Sequence, residues 1–163
     1  MKRLYIYILA AAGLALAGLI PVGGHDAAEL LPAQVLEVWQ EDGRVQLLCD
    51  NSAAGSGRSF EAAVADMEQR AAGVLFLDTA EQIIFRADAW ETLGQAAVSQ
   101  KLRPAAKIYL CTGQLPDAGA AVPFLQAHSG SITLGDARAA ILAGERVQAS
   151  RLRTGEGGMT VAQ

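Results

Sequence analysis

Between Gly55 and Thr112 the sequence sets out loop, helix and strand signals in unbroken succession, and that order confines the chain to a fold in which helices lie on a β-sheet. Gly55-Ser56-Gly57-Arg58-Ser59 reads as a small, polar loop whose last serine can cap a helix. Phe60, Ala63, Val64, Met67 and Ala71 then recur at one-face helical spacing, and Gly73 stands where a left-handed stop is expected. Val74-Leu75-Phe76-Leu77 and Gln82 to Phe85 are apolar runs of strand length. Asp88, with Glu91 three residues on, predicts a second capped helix ending at Arg103-Pro104, and Lys107 to Thr112 predicts another strand.

The flanking sequence extends the same layer. Gln34 to Gln40 alternates Val35, Glu37 and Trp39 on one face with Leu36 and Val38 on the other, Asp42-Gly43 predicts a hairpin turn, and Arg44 to Asp50 returns as the partner strand. Asn51 to Arg58 is expected to be loop. After Gly113 a further helix is expected, with Pro116 in its first turn and Pro123 breaking or kinking it; Ser131 to Leu134 is ambiguous, and Asp136 opens a last helix that Gly144 stops. Beyond Glu145 apolar residues thin out, and Thr154-Gly155-Glu156-Gly157-Gly158 reads as a solvated tail. These signals predict a single α/β (α+β) domain over residues 25–150, a mixed sheet of about five strands with helices packed on it, and a flexible segment at 151–163.

Ahead of the domain, Lys2-Arg3 precedes an apolar run from Leu4 to Val22, the pattern of an export signal. Val22-Gly23-Gly24 offers small residues for cleavage before His25, and the run is also long enough to stay in a bilayer, so residues 1–24 read as a signal peptide or a membrane anchor. Either way the domain is expected outside the cytoplasm, with the membrane as a partner if the helix is retained.

Net charge is −4 over 163 residues and no cation cluster is present, which excludes a phosphate-backbone partner such as DNA or RNA. Cys49 and Cys111 each lie in a predicted strand; outside the cell they can form a disulfide if their strands are neighbours, or both can be small buried side chains. There is no CxxC or Cys/His cluster, so neither a metal site nor a cofactor is indicated.

For chemistry the sequence offers little. His25 and His128 lie far apart without a motif around either, Glu37 beside Trp39 reads as an edge carboxylate, and Asp78-Thr79 reads as a turn. No nucleophile elbow or zinc-protease motif occurs, and no catalytic residue is assigned. The glycine-rich loop Gly55, Ser56, Gly57, Arg58, Ser59 is the one candidate anion site, since N–H groups at a helix start favour anions. It departs from both phosphate-binding fingerprints: Phe60 stands where a dinucleotide loop needs glycine, and Ser52 and Arg58 where a P-loop needs glycine and lysine.

Asp26-x-x-Glu29-Leu30, the Asp42-Gly43 hairpin, Gly55-Ser56-Gly57-Arg58-Ser59-Phe60-Glu61-Ala62, Val74-Leu75-Phe76 and Gln82-Ile83-Ile84 follow one another in an order that resembles the N-terminal domain of Ger(x)C-type spore germination proteins, the C subunits of nutrient germinant receptors. The resemblance spans Gly24 to Gly113 by order and spacing. It implies a non-enzymatic exported accessory protein of germination or sporulation that contacts receptor membrane subunits at the outer face of the cytoplasmic membrane. Three departures qualify it: Gly24 replaces the family's lipidated cysteine, Leu77-Asp78 replaces its Gly-His pair, and the chain has room for one domain only. A different class remains open, a small exported ligand- or anion-binding protein or enzyme using the Gly55–Ser59 loop. A third is a structural module that adds a strand at an edge carrying Glu37 and Trp39.

Overall fold

A computed structural model describes residues 30–113, 115, 118–155 and 158–162; the expected leader, His25, Pro116 and Glu156-Gly157 lie outside the described residues. In chain order the elements are β1 (Leu30–Pro32), β2 (Val35–Glu41), β3 (Arg44–Cys49), β4 (Ala54–Gly57), α1 (Phe60–Arg70), β5 (Val74–Phe76), β6 (Gln82–Arg86), α2 (Leu93–Val98), β7 (Lys107–Thr112), α3 (Ala118–Ala127), α4 (Leu134–Leu142), β8 (Ser150–Gly155) and β9 (Gly158–Ala162). A single turn of 3-10 helix follows β5 over Leu77–Thr79, and a longer 3-10 segment precedes α2 over Ala87–Thr92.

Seven strands form one mixed sheet in the order β4-β3-β2-β6-β7-β8-β9, and β1 pairs with β5 in a separate two-stranded ribbon. β2, β6, β7 and β8 run parallel; β4-β3-β2 and β8-β9 are antiparallel flanks. The α/β class therefore holds, while the expected five strands become seven plus two. Three of the four additions come from segments read as loop and tail: β4 falls inside the supposed Asn51–Arg58 loop, and β8 and β9 occupy the supposed flexible segment; the fourth, β1, pairs with β5 outside the main sheet.

β2, β6 and β7 carry apolar residues on both faces, as buried central strands do. On one face Leu36, Val38, Leu47, Cys49, Ile83, Phe85 and Ile108 meet α1, α2 and α4. On the other Val35, Ile84, Tyr109, Cys111 and Leu152 meet Leu115 and α3. β2 is thus interior, not the edge that Glu37 and Trp39 suggested.

Local chemistry explains most boundaries. The β2–β3 hairpin turns on Asp42 (φ 51°) and Gly43 (φ 71°), the doubly left-handed turn that matches strand twist. Ser59 caps α1 by accepting from Ala62 N at 3.2 Å. The helix ends at Arg70 with Ala71 extended, so Gly73 is not its stop. Thr133 and Asp136 form a reciprocal capping box at α4, placing Asp136 in the first turn and holding its carboxyl below the usual carboxylate range through the Thr133 hydroxyl and amide. Asp88 does not cap a helix; its Oδ1 accepts from Gln40 N at 3.3 Å, which ties the 3-10 turn to β2, and α2 stops at Val98 well before Pro104. α3 continues through Pro123 without ending there.

Candidate functional site

At the carboxyl ends of β2, β6 and β7, where open parallel sheets usually hold ligands, alternation brings Glu37, Trp39, Arg86 and Cys111 onto one face. Glu37 is 1% exposed, and its Oε1 accepts from Arg86 Nε at 2.6 Å. The Arg86 guanidinium lies 4.7 Å from the centre of the Trp39 ring, so the cation is held by both a carboxylate and an aromatic face. A cleft of about 330 Å³ opens beside it, lined by Arg86, Ala87, Asp88, Cys111 and Gly113.

The electrostatics of this cleft are those of a structural pair. Arg86 is neutralised by Glu37 and shares the cleft lining with Asp88, which leaves little net attraction for an anion. Burial, reinforced by the Glu37 charge, pushes the Cys111 thiol up to about 11, against weaker opposing effects of Arg86 and the Thr154 hydrogen bond. A thiol so raised stays protonated at neutral pH and is a poor nucleophile.

Two larger recesses lie on the opposite face around Trp90, which packs edge-on against Phe85 with ring centres 5.9 Å apart. One cleft of about 540 Å³ runs over Leu110 and Arg151 between Trp90 and Val147–Ala149, ending at Ser131 and Ser150. A second of about 390 Å³ shares Trp90 and Val147 and reaches Leu93, Ile141 and Arg146. Tryptophan, arginine and hydroxyl groups around such volumes suit a small amphipathic molecule.

The residues singled out in the sequence do not converge. In the Gly55–Ser59 segment, Gly55 and Gly57 belong to β4 and their missing side chains admit α1: a Cβ on Gly57 would stand 2.3 Å from Ala63 N, and one on Gly55 2.3 Å from Ala63 O. Three of the N–H groups an anion could use are engaged, Phe60 N by Gln95 Oε1 at 2.8 Å, Ala62 N by Ser59 and Ser56 N by the Asp66 carboxylate. Inorganic phosphate should therefore leave the Gly57 to Phe60 amide shifts unmoved, whereas Ser59→Ala should cost about 1 kcal/mol of unfolding free energy through the lost cap; a saturable phosphate shift at Phe60 would reverse that assignment.

Cys49 and Cys111 are free, in β3 and β7, with β2 and β6 between them and their side chains in the cores on opposite faces of the sheet. The proposed disulfide is thereby excluded, since a bridge needs Cα atoms within about 7 Å. Cys49 Sγ packs 3.8 Å from Met67 Sδ, and burial with the nearby Asp50 charge pushes this thiol up to about 12. The native chain should resist thiol reagents at pH 8 and expose two reactive groups on unfolding. Because both folded thiols ionise above the ordinary thiol range, their contribution is intact below about pH 8.5 and is lost as pH rises toward 11–12. The slope is up to about 1.4 kcal/mol per pH unit for each thiol. Urea midpoints that stay flat from pH 8.5 to 10.5 would contradict this.

His128 stacks on Phe124, ring centres 4.4 Å apart, and its Nδ1 lies 3.0 Å from Phe124 O, a helix-end contact remote from the Glu37 pair. Thr79 Oγ1 accepts from Ala33 N at 3.1 Å, tying the 3-10 turn to the chain between β1 and β2. Arg86 and Trp90 were not singled out in the sequence. A carboxylate within a strand apolar on both faces, followed by an arginine ending the next such strand, was the signal for the first. No group of three or more metal-ligating side chains occurs among the described residues, and no described helix is long and apolar enough to cross a membrane. No protein-family model, no curated protein and no solved structure matches the chain.

Proposed function

We propose that this chain is a non-enzymatic, exported accessory domain that works through protein–protein contacts at the outer face of the cytoplasmic membrane, in spore germination or sporulation. The setting rests on residue patterns alone, the Lys2-Arg3 leader and the Ger(x)C-like order from Gly24 to Gly113. The observation that carries the mode of action is the contrast between inside and outside. The buried charges are matched within the fold, Glu37 by Arg86, and the buried thiols are held protonated, while the last strand of the sheet leaves backbone groups turned outward. Deleting the gene in the source organism should slow nutrient-triggered germination or lower spore yield while vegetative growth is unchanged; unaltered sporulation and germination would remove the proposal. The Trp90 clefts favour a second reading, an exported small-ligand carrier, which predicts retention of a small molecule by the purified protein.

A further inference from the structure

The two margins of the sheet are built differently. At β4 the bond from Cys49 N to Ala53 O at 2.8 Å sets the antiparallel alternation, so Ala54 and Ser56 turn their N–H and C=O groups away from β3. Ser56 N donates to Asp66 Oδ2 at 2.9 Å and Ser56 O accepts from Arg44 Nη2 at 3.2 Å. Those side chains seal the edge against a further strand.

Among the described residues β9 has no such seal. Gly155 faces Gly158, Arg153 faces Thr160 and Arg151 faces Ala162. In a hairpin joined across two residues these facing pairs exchange the hydrogen bonds, which turns the N–H and C=O of Met159 and Val161 outward. No described side chain bonds to either, and the strand Gly-Met-Thr-Val-Ala carries neither charge nor proline.

The side chains around this edge say what fits it. On one face Met159 and Val161 are half-buried against the cluster that contains Leu152, and an apolar side chain beside them would extend that cluster. On the other face Arg151 and Arg153 are exposed and form no ion pair with a described residue, within a chain of net charge −4. Gly158, Thr160 and Ala162 lie between them and the edge, all small and exposed, so the arginines are free to lean across β9. An added strand would lie about 9.6 Å from β8, within the joint reach of an arginine and a glutamate. A second copy offers glycine, threonine and alanine at those positions and no carboxylate.

We infer that β9 is a strand-addition site for an extended acidic segment of another protein, with carboxylates on the Arg151–Arg153 face alternating with apolar residues on the Met159–Val161 face. The inference rests on the reading of the chain as a contact module and gives that module its partner chemistry. The probe is a seven-residue peptide alternating glutamate with valine, its lysine-for-glutamate counterpart serving as control, titrated into the full chain with amide shifts and exchange as readout. The acidic peptide should slow exchange at Met159 and Val161 and bind at least tenfold more tightly than the basic one, and the R151E/R153E double variant should invert that preference. Val161→Pro removes an outward N–H without touching the bonds to β8, so it should abolish binding while leaving the melting temperature close to that of the parent. Equal binding of both peptides, no protection at millimolar acidic peptide, or concentration-dependent pairing of two copies through β9 would each overturn the inference. If deletion still impairs germination after such a failure, only the acidic-strand assignment falls.

Discussion

Arg86→Ala should lower the unfolding free energy by about 3–5 kcal/mol, the cost of leaving a buried charge without its partner. Glu37 is 1% exposed and accepts from Arg86 at 2.6 Å, so removing the guanidinium strips a buried carboxylate of its charged partner. Loss of the contact with Trp39 adds roughly 0.5–1 kcal/mol. Against a typical total of about 5–15 kcal/mol, this change takes a large share of the stability. Replacing both partners, E37L with R86M, removes the desolvated charges together and should return the protein to within about 1 kcal/mol of the parent. Urea unfolding followed by tryptophan fluorescence gives both numbers, and an Arg86→Ala variant within 1 kcal/mol of the parent would show that the pair is solvated.

The second large effect concerns the contact between α1 and β4. Gly57→Ala places a methyl group 2.3 Å from Ala63 N and 2.5 Å from the Ala62 carbonyl carbon, both backbone atoms of the helix, so relief requires moving the helix itself. The expected loss is about 3 kcal/mol, at the upper end of ordinary overpacking. Gly94→Ala is the internal control: it lies in α2 with open space where its Cβ would go, and should gain up to about 1 kcal/mol in helix propensity. Equal unfolding midpoints for the two variants would mean that α1 does not rest on β4.

Those glycines also show where sequence reading succeeds and fails. Lys107–Thr112 and the Asp42-Gly43 turn are as expected, because each is fixed by local signals, a short continuous apolar run in one and left-handed turn residues in the other. The start of α1 follows from Ser59 and the one-face apolar spacing in the same way. β4 was not legible, since glycines that admit a helix across a strand have the composition of a loop; only the partner helix distinguishes the cases. The β8–β9 hairpin was hidden for a related reason. Its exposed face shows Arg151, Arg153 and Thr160, and Leu152 is the one fully buried large side chain in β8, so the segment has the polarity of a tail although β7 pairs with it along four residues. Glu37 misled in the opposite sense: a carboxylate suggests an edge until a cation on the neighbouring strand is known to meet it. The candidate anion loop failed to hold a site because its donors serve the cap and the Asp66 contact, which only tertiary structure supplies.

Residue-resolved amide hydrogen exchange from Ser150 to Ala162 tests most directly whether this segment is an integral, half-open margin of the sheet. Leu152 should be protected as strongly as Tyr109, Thr160 and Ala162 should be protected through their bonds to β8, and Met159 and Val161 should exchange quickly. Uniformly fast exchange from Ser150 onward would mean that the sheet ends at β7, and the account of its open edge would be wrong.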